Sequence, residues 1–155
     1  ATGHRRAAGG GVMDVTGAPR VLTWHVHGSY LYYLAQARCQ FIVPVKEGRP
    51  VGYGGRSGHF AWPDNVIEVP AEQIRDTALD VVLFQSRRNY LFDQHEILSD
   101  AQLRLPRVYL EHDPPLEHPT DTRHVVDDRD VRLVHVTAFN DLMWDAGGTP
   151  TRARS

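Results

Sequence analysis

The chain has one cysteine, Cys39, and no apolar run of bilayer-spanning length. A lone thiol excludes an internal disulfide and a thiolate metal cage, which fits a reducing compartment; Cys39 reads most simply as a small core residue. No stretch approaches the ~20 apolar residues of a membrane span, and the basic amino terminus lacks the apolar core of a signal peptide. The reading is therefore a cytoplasmic protein without a membrane span. Charge of one sign is also lacking: Lys+Arg 17 stand against Asp+Glu 19, for a formal charge of -2. No block of like charge predicts a nucleic-acid groove or an anionic-membrane patch, so partners are expected among small molecules and proteins. No internal repeat is apparent.

What is present suits one domain: 155 residues are enough to bury roughly two thirds of the unfolded surface. Residues 1–19, with Gly9-Gly10-Gly11 and few bulky apolar groups, read as a disordered leader. The domain is placed at 20–146, and the Gly/Pro/Arg-rich residues 147–155 read as a disordered tail. Strands are predicted at 21–26, 41–45, 66–69, 80–84, 107–110 and 131–136. Helical character is predicted at 30–38, at 71–75, over 88–103 and from Thr137 or Asn140 onward. Residues 46–65 carry five glycines and no apolar period, and are expected to form a long loop, functional or mobile.

Strands alternating with helical crossovers predict an α/β fold, a doubly wound, mostly parallel six-stranded Rossmann-like sheet. In the order 3-2-1-4-5-6 the first and fourth strands flank a switch point, where such sheets bind ligands at their carboxyl ends. That places His27-Gly28-Ser29 beside Gln85-Ser86. Glu111-His112-Asp113, where RVYLEHDPP breaks from apolar to charged before two prolines, lies one strand further along.

Each of these groups has a functional and a plainer reading. His27, Gly28 and Ser29 either present backbone N–H groups and a hydroxyl to an anion, or form a simple turn with Ser29 as helix cap. His25 and His27 share a face, so one suits the core while the other reaches the crevice. Gly52 to Gly58, with Arg56, suits a phosphate or sugar cradle, but more simply a mobile surface loop, and is not a dinucleotide fingerprint. His112 suits an acid, base or hydrogen-bond donor oriented by Asp113 or Glu111, or a histidine satisfied at a strand end. His118, Asp121 and His124 add metal-capable groups, but no zinc spacing is present and no metal is assigned. Asn140 lies where the sixth strand's end could line the same crevice.

The segments LTWHVHGSYLYYL, DVVLFQS, RLPRVYLEHDPPLEHPTDTRH and LVHVTAFNDLMWDAGGTPTR, with the long glycine-containing stretch between the first two, resemble the amino-terminal half of bacterial GT-B glycosyltransferases, of the family-four-like, retaining kind. The resemblance spans about Arg20 to Arg152. It implies hexosyl transfer from a nucleotide-sugar donor to a carbohydrate or lipid-linked acceptor, with no cofactor. In that family the amino-terminal domain mostly holds the acceptor. The glycine turn after the first strand, here His27-Gly28-Ser29, lies near the donor diphosphate, and the histidine after the fifth strand, here His112, lies close to the reacting sugar. His112 is then expected to hydrogen-bond the sugar or diphosphate rather than act as a nucleophile. Arg56, Gln85, Ser86, Glu111, Asp113 and Asn140 complete the expected substrate-binding set.

Such proteins continue past the equivalent of Pro150 to Ser155 into a donor-binding carboxy-terminal domain. The resemblance therefore implies a fragment that lacks this domain and turns over little or nothing by itself. Two readings compete with it. One is a non-catalytic Rossmann-like binding or interaction module. The other is a metal-assisted hydrolase built on His112, Asp113, His118 and His124.

Overall fold

Short runs of β-branched and aromatic residues bounded by Gly, Pro and polar groups become the strands β1 (Arg20–Thr23), β2 (Gln40–Val45), β3 (Val66–Pro70), β4 (Val81–Phe84), β5 (Arg107–Glu111), β6 (Val131–His135) and β7 (Thr151–Ala153). The computed structural model describes residues 16–26, 28–115 and 122–153. In it every strand pair is parallel, in the order β3-β2-β1-β4-β5-β6-β7. The fold is thus α/β and Rossmann-like. The order expected for the first six strands holds, and the switch point lies between β1 and β4.

Side chains alternate across each strand, so the sheet has an apolar layer on both faces. In β4, Val82 and Phe84 point into the layer that holds Leu22, Trp24, Ile42, Ile74 and Ile97, while Leu83 points into the one that holds Leu31, Phe41, Val43 and Trp62. Each fully buried side chain of this size contributes about 2 kcal/mol by leaving water.

The helices are shorter than the periodicity predicts. Helix α1 (Tyr30–Leu34) stops four residues before Arg38. The stretch expected to be one helix to Leu103 is a π-helical turn (Asn89–Asp93) that runs into α2 (Gln94–Ile97), then breaks at Leu98, whose ψ of 146 is extended. A reciprocal pair starts the next turn: Gln102 N–H donates to Ser99 Oγ, and Ser99 N–H to Gln102 Oε1. This is a capping box, which begins a new 3-10 turn rather than prolonging the old helix. Helix α3 (Ala138–Met143) starts where expected, with Asn140 N–H donating to Thr137 Oγ1.

Two expectations for loops and tail need correction. Residues 46–65 are not structureless: Gly52 and Gly54 form isolated bridges with His25 and Val45, and Tyr53 and Trp62 are buried. Aromatic packing of Trp62 on Phe60, Tyr32 and His25 holds the stretch against the sheet. The tail does not lack structure either. Thr151–Ala153 pair with β6, Pro150 O accepts from Leu133 N–H, and the buried Thr149 bonds Val126 O and Asp128 N. Hence seven strands rather than six. Of the expected leader, residues 1–15 lie outside the described residues.

Candidate functional site

At the carboxyl ends of β1, β4 and β5 the sheet opens into a crevice of about 580 Å³. Its floor and walls come from segments far apart in sequence: Tyr30 after β1, Gln85 to Arg88 after β4, and Glu111 to Pro114 after β5. Arg123, His124 and Trp144 close the far side.

Of the residues singled out in the sequence, Gln85, Ser86, Glu111, His112 and Asp113 meet here. The ring of His112 stands edge-on to Tyr30, 3.9 Å between centroids. Asn140 is buried outside the crevice, where its Nδ2 donates to His112 O at 3.3 Å and so fixes the backbone of that histidine. Gly28, with φ 70, lines a smaller cavity of about 250 Å³ shared with Gly52, Ser57 and Phe60. Ser29 occupies the cap position of α1 without a side-chain cap bond. Arg56 is exposed and turned elsewhere, its guanidinium donating to Trp62 O and its backbone N–H to Glu68. The crevice therefore does not gather Gly28, Ser29 or Arg56. His27, like His118 and Asp121, lies outside the described residues.

A second histidine, which the sequence reading noted only as a metal candidate, lines the far wall of the crevice. His124 is buried, and its Nε2 lies 2.6 Å from Glu111 Oε2. Val126 N–H donates to His124 Nδ1 at 3.0 Å. Because Nδ1 accepts, the ring proton sits on Nε2 and is donated to the carboxylate. Glu111 Oε1 accepts from Asp113 N–H at 3.0 Å. Both oxygens of Glu111 are thus spent on holding the strand end, which makes it a positioning group rather than a proton acceptor for a ligand. Trp144 adds a third tie, its Nε1–H donating to Asp113 O at 2.7 Å, and packs edge-on against His124. Tyr109 supports His124 from below, and burial raises its phenol above the ordinary value, so it stays protonated.

The β4 side is held as firmly. Gln85 Nε2 donates to Thr23 Oγ1 at 2.8 Å, tying β4 to β1 across the switch point. Ser86 Oγ accepts from Asn89 N–H, and Asn89 Nδ2 donates to the buried Asp93. Tyr53 O–H donates to the other oxygen of Asp93 at 3.0 Å, and burial followed by that carboxylate raises the Tyr53 phenol. Gln85 is thereby structural, while Ser86 keeps its own hydroxyl proton to give.

No protein-family model, curated protein or solved structure matches the chain. Its chemistry has to be read from the crevice. Among the described residues no group of three or more His, Cys, Asp or Glu is placed to hold a metal ion, and no helix is long and apolar enough to cross a membrane.

Proposed function

We propose that the crevice is one wall of a glycosyl-transfer site, which receives a nucleotide sugar and an acceptor as the amino-terminal domains of GT-B glycosyltransferases do. The observation that carries this reading is the position of His112, at the end of β5 beside the switch point and edge-on to Tyr30. A sugar lying there meets an imidazole at its hydroxyls and aromatic faces at its C–H groups. When a diphosphate leaves, the sugar acquires oxocarbenium-like charge, and dipoles already fixed in place stabilise that charge at no cost of reorganisation. The hydrogen bonds of Glu111 and Asn140 to the 111–113 backbone supply such fixing.

A metal-assisted hydrolase is disfavoured because both ring nitrogens of His124, one of its four supposed ligands, are already bonded. A non-catalytic interaction module keeps one observation in its favour, the exposed Phe139 and Leu142 of α3.

Titration of the ¹⁵N-labelled protein with UDP-, GDP- and ADP-sugars tests the proposal. Saturable shifts of the Ser86, His112 and Asp113 amides are expected. His112→Ala should weaken donor binding on the order of tenfold while leaving the urea midpoint in place. Absence of crevice shifts with every donor, or unchanged donor affinity in His112→Ala, defeats the reading.

A further inference from the structure

We infer that the β4 side of the crevice is a phosphoryl-binding subsite, and that its ligand brings the phosphate there on a sugar. The sugar rests on the glycosyl-transfer reading; the phosphate rests on observations of its own.

Arg87 lines the crevice and, among the described residues, makes no hydrogen bond or ion pair. Its neighbour Arg88 comes only to 3.8 Å from Asp93, with the arginine side chain 71% exposed and the carboxylate already bonded by Tyr53 and Asn89. Arg123 reaches the crevice from the opposite wall, held by Asp127. Opposing carboxylates do not offset these cations on the β4 side. Glu111 is engaged by His124 and by Asp113 N–H, and Asp113 stands on the β5 rim. An anion is therefore repelled from β5 and drawn toward Arg87.

Next to Arg87, Ser86 Oγ accepts from Asn89 N–H, and its own proton has no acceptor among the described residues. A hydroxyl donor beside guanidinium forks suits the several oxygens of a phosphate. The segment is also set in advance. Gln85 is tied to Thr23, and the Asn89–Asp93–Tyr53 chain anchors the turn that follows, so little ordering remains to be done on binding. The site is distinct from the β1 glycine turn, because Gly28 opens onto the other cavity.

The test is an NMR titration of the 155-residue chain with glucose 6-phosphate, glucose, glucuronate and UDP-glucose, repeated for Arg87→Gln and for Arg104→Gln, an exposed arginine outside the crevice. The phosphorylated ligand is expected to bind on the order of tenfold more tightly than glucose or glucuronate, with shifts at Ser86 and at the Arg87 side chain. Arg87→Gln should lose that preference, and Arg104→Gln should keep it. Tight binding of glucose 6-phosphate identifies the group as a phosphate monoester of the acceptor. Tight binding of UDP-glucose alone identifies it as the donor diphosphate, and either result supports the subsite. Equal binding of all the sugars, or unchanged phosphate affinity in a natively folded Arg87→Gln, overturns it. If Arg87-dependent phosphate binding holds but no nucleotide sugar shifts the His112 and Asp113 amides, only the glycosyl-transfer reading falls. If those shifts persist while Arg87→Gln changes nothing, only the subsite falls.

Discussion

Glu111 and His124 show how much of the site depends on one proton. With Val126 N–H donating to Nδ1, the imidazole has its proton on Nε2, and Glu111 receives it. His124→Ala removes that donor from a buried carboxylate, an expected loss of about 2 kcal/mol in urea denaturation, with faster amide exchange at His112 and Asp113 as a local readout. His135 is a further buried imidazole of this region, fully shielded, with 3.5 Å to Asp141 but no aligned hydrogen bond. Burial lowers its pKa below the ordinary 6.5, against the opposing pull of Asp141. The unfolded chain then binds a proton near pH 6.5 that the native chain refuses. Stability therefore falls as pH drops below that value, until His135 itself becomes protonated. Urea midpoints between pH 7.5 and 5 should show this slope, and His135→Gln should flatten it. Of these residues, His112 was legible because a strand that ends in charge and proline announces its own edge. His124 was not: its partner lies 13 positions back and its tautomer is decided by a backbone N–H, neither of which leaves a mark in residue type.

The glycine stretch after β2 teaches a similar lesson about elements. Its glycines read as flexibility, whereas Gly55 is required by contact. It has φ 57, and a Cβ there would lie 2.5 Å from Val45 Cγ1 and 2.9 Å from the Glu68 carboxylate. Its carbonyl also receives His25 Nδ1 at 2.7 Å. Gly55→Ala combines left-handed strain with a clash against the Val45 and Glu68 side chains, and a loss of about 2 kcal/mol is expected in thermal or urea unfolding. A wild-type midpoint would show that the neighbours yield freely. Strand positions were readable from apolar runs, because a strand buried on both faces has little choice of composition. Helix ends were read less well. The Ser99–Gln102 box was passed over in the sequence, and the π-helical turn left no pattern to find, since the inserted residue that buries both Asn89 and Asp93 breaks the 3.6 period used to find helices.

At the scale of the whole molecule the strand order followed from connectivity, because short parallel strands joined by crossovers admit few arrangements. The seventh strand escaped notice. Thr151–Ala153 is short and mostly exposed, without an apolar signature, yet it covers the β6 edge, and Thr149 before it bonds inward. Deleting residues 147–155 should leave β6 as an open edge, lower the melting temperature by several degrees and promote self-association visible by size-exclusion chromatography. A monomeric truncation with unchanged melting would show β7 to be dispensable. The sheet also places its three tryptophans unequally. Trp24 stacks on Phe84 in the interior and Trp62 is buried under the glycine stretch, while Trp144 alone borders the crevice, 4.9 Å from the His124 ring. The protein thus carries its own optical gauge: emission from one indole should change as the crevice fills, so occupancy can be followed without a label.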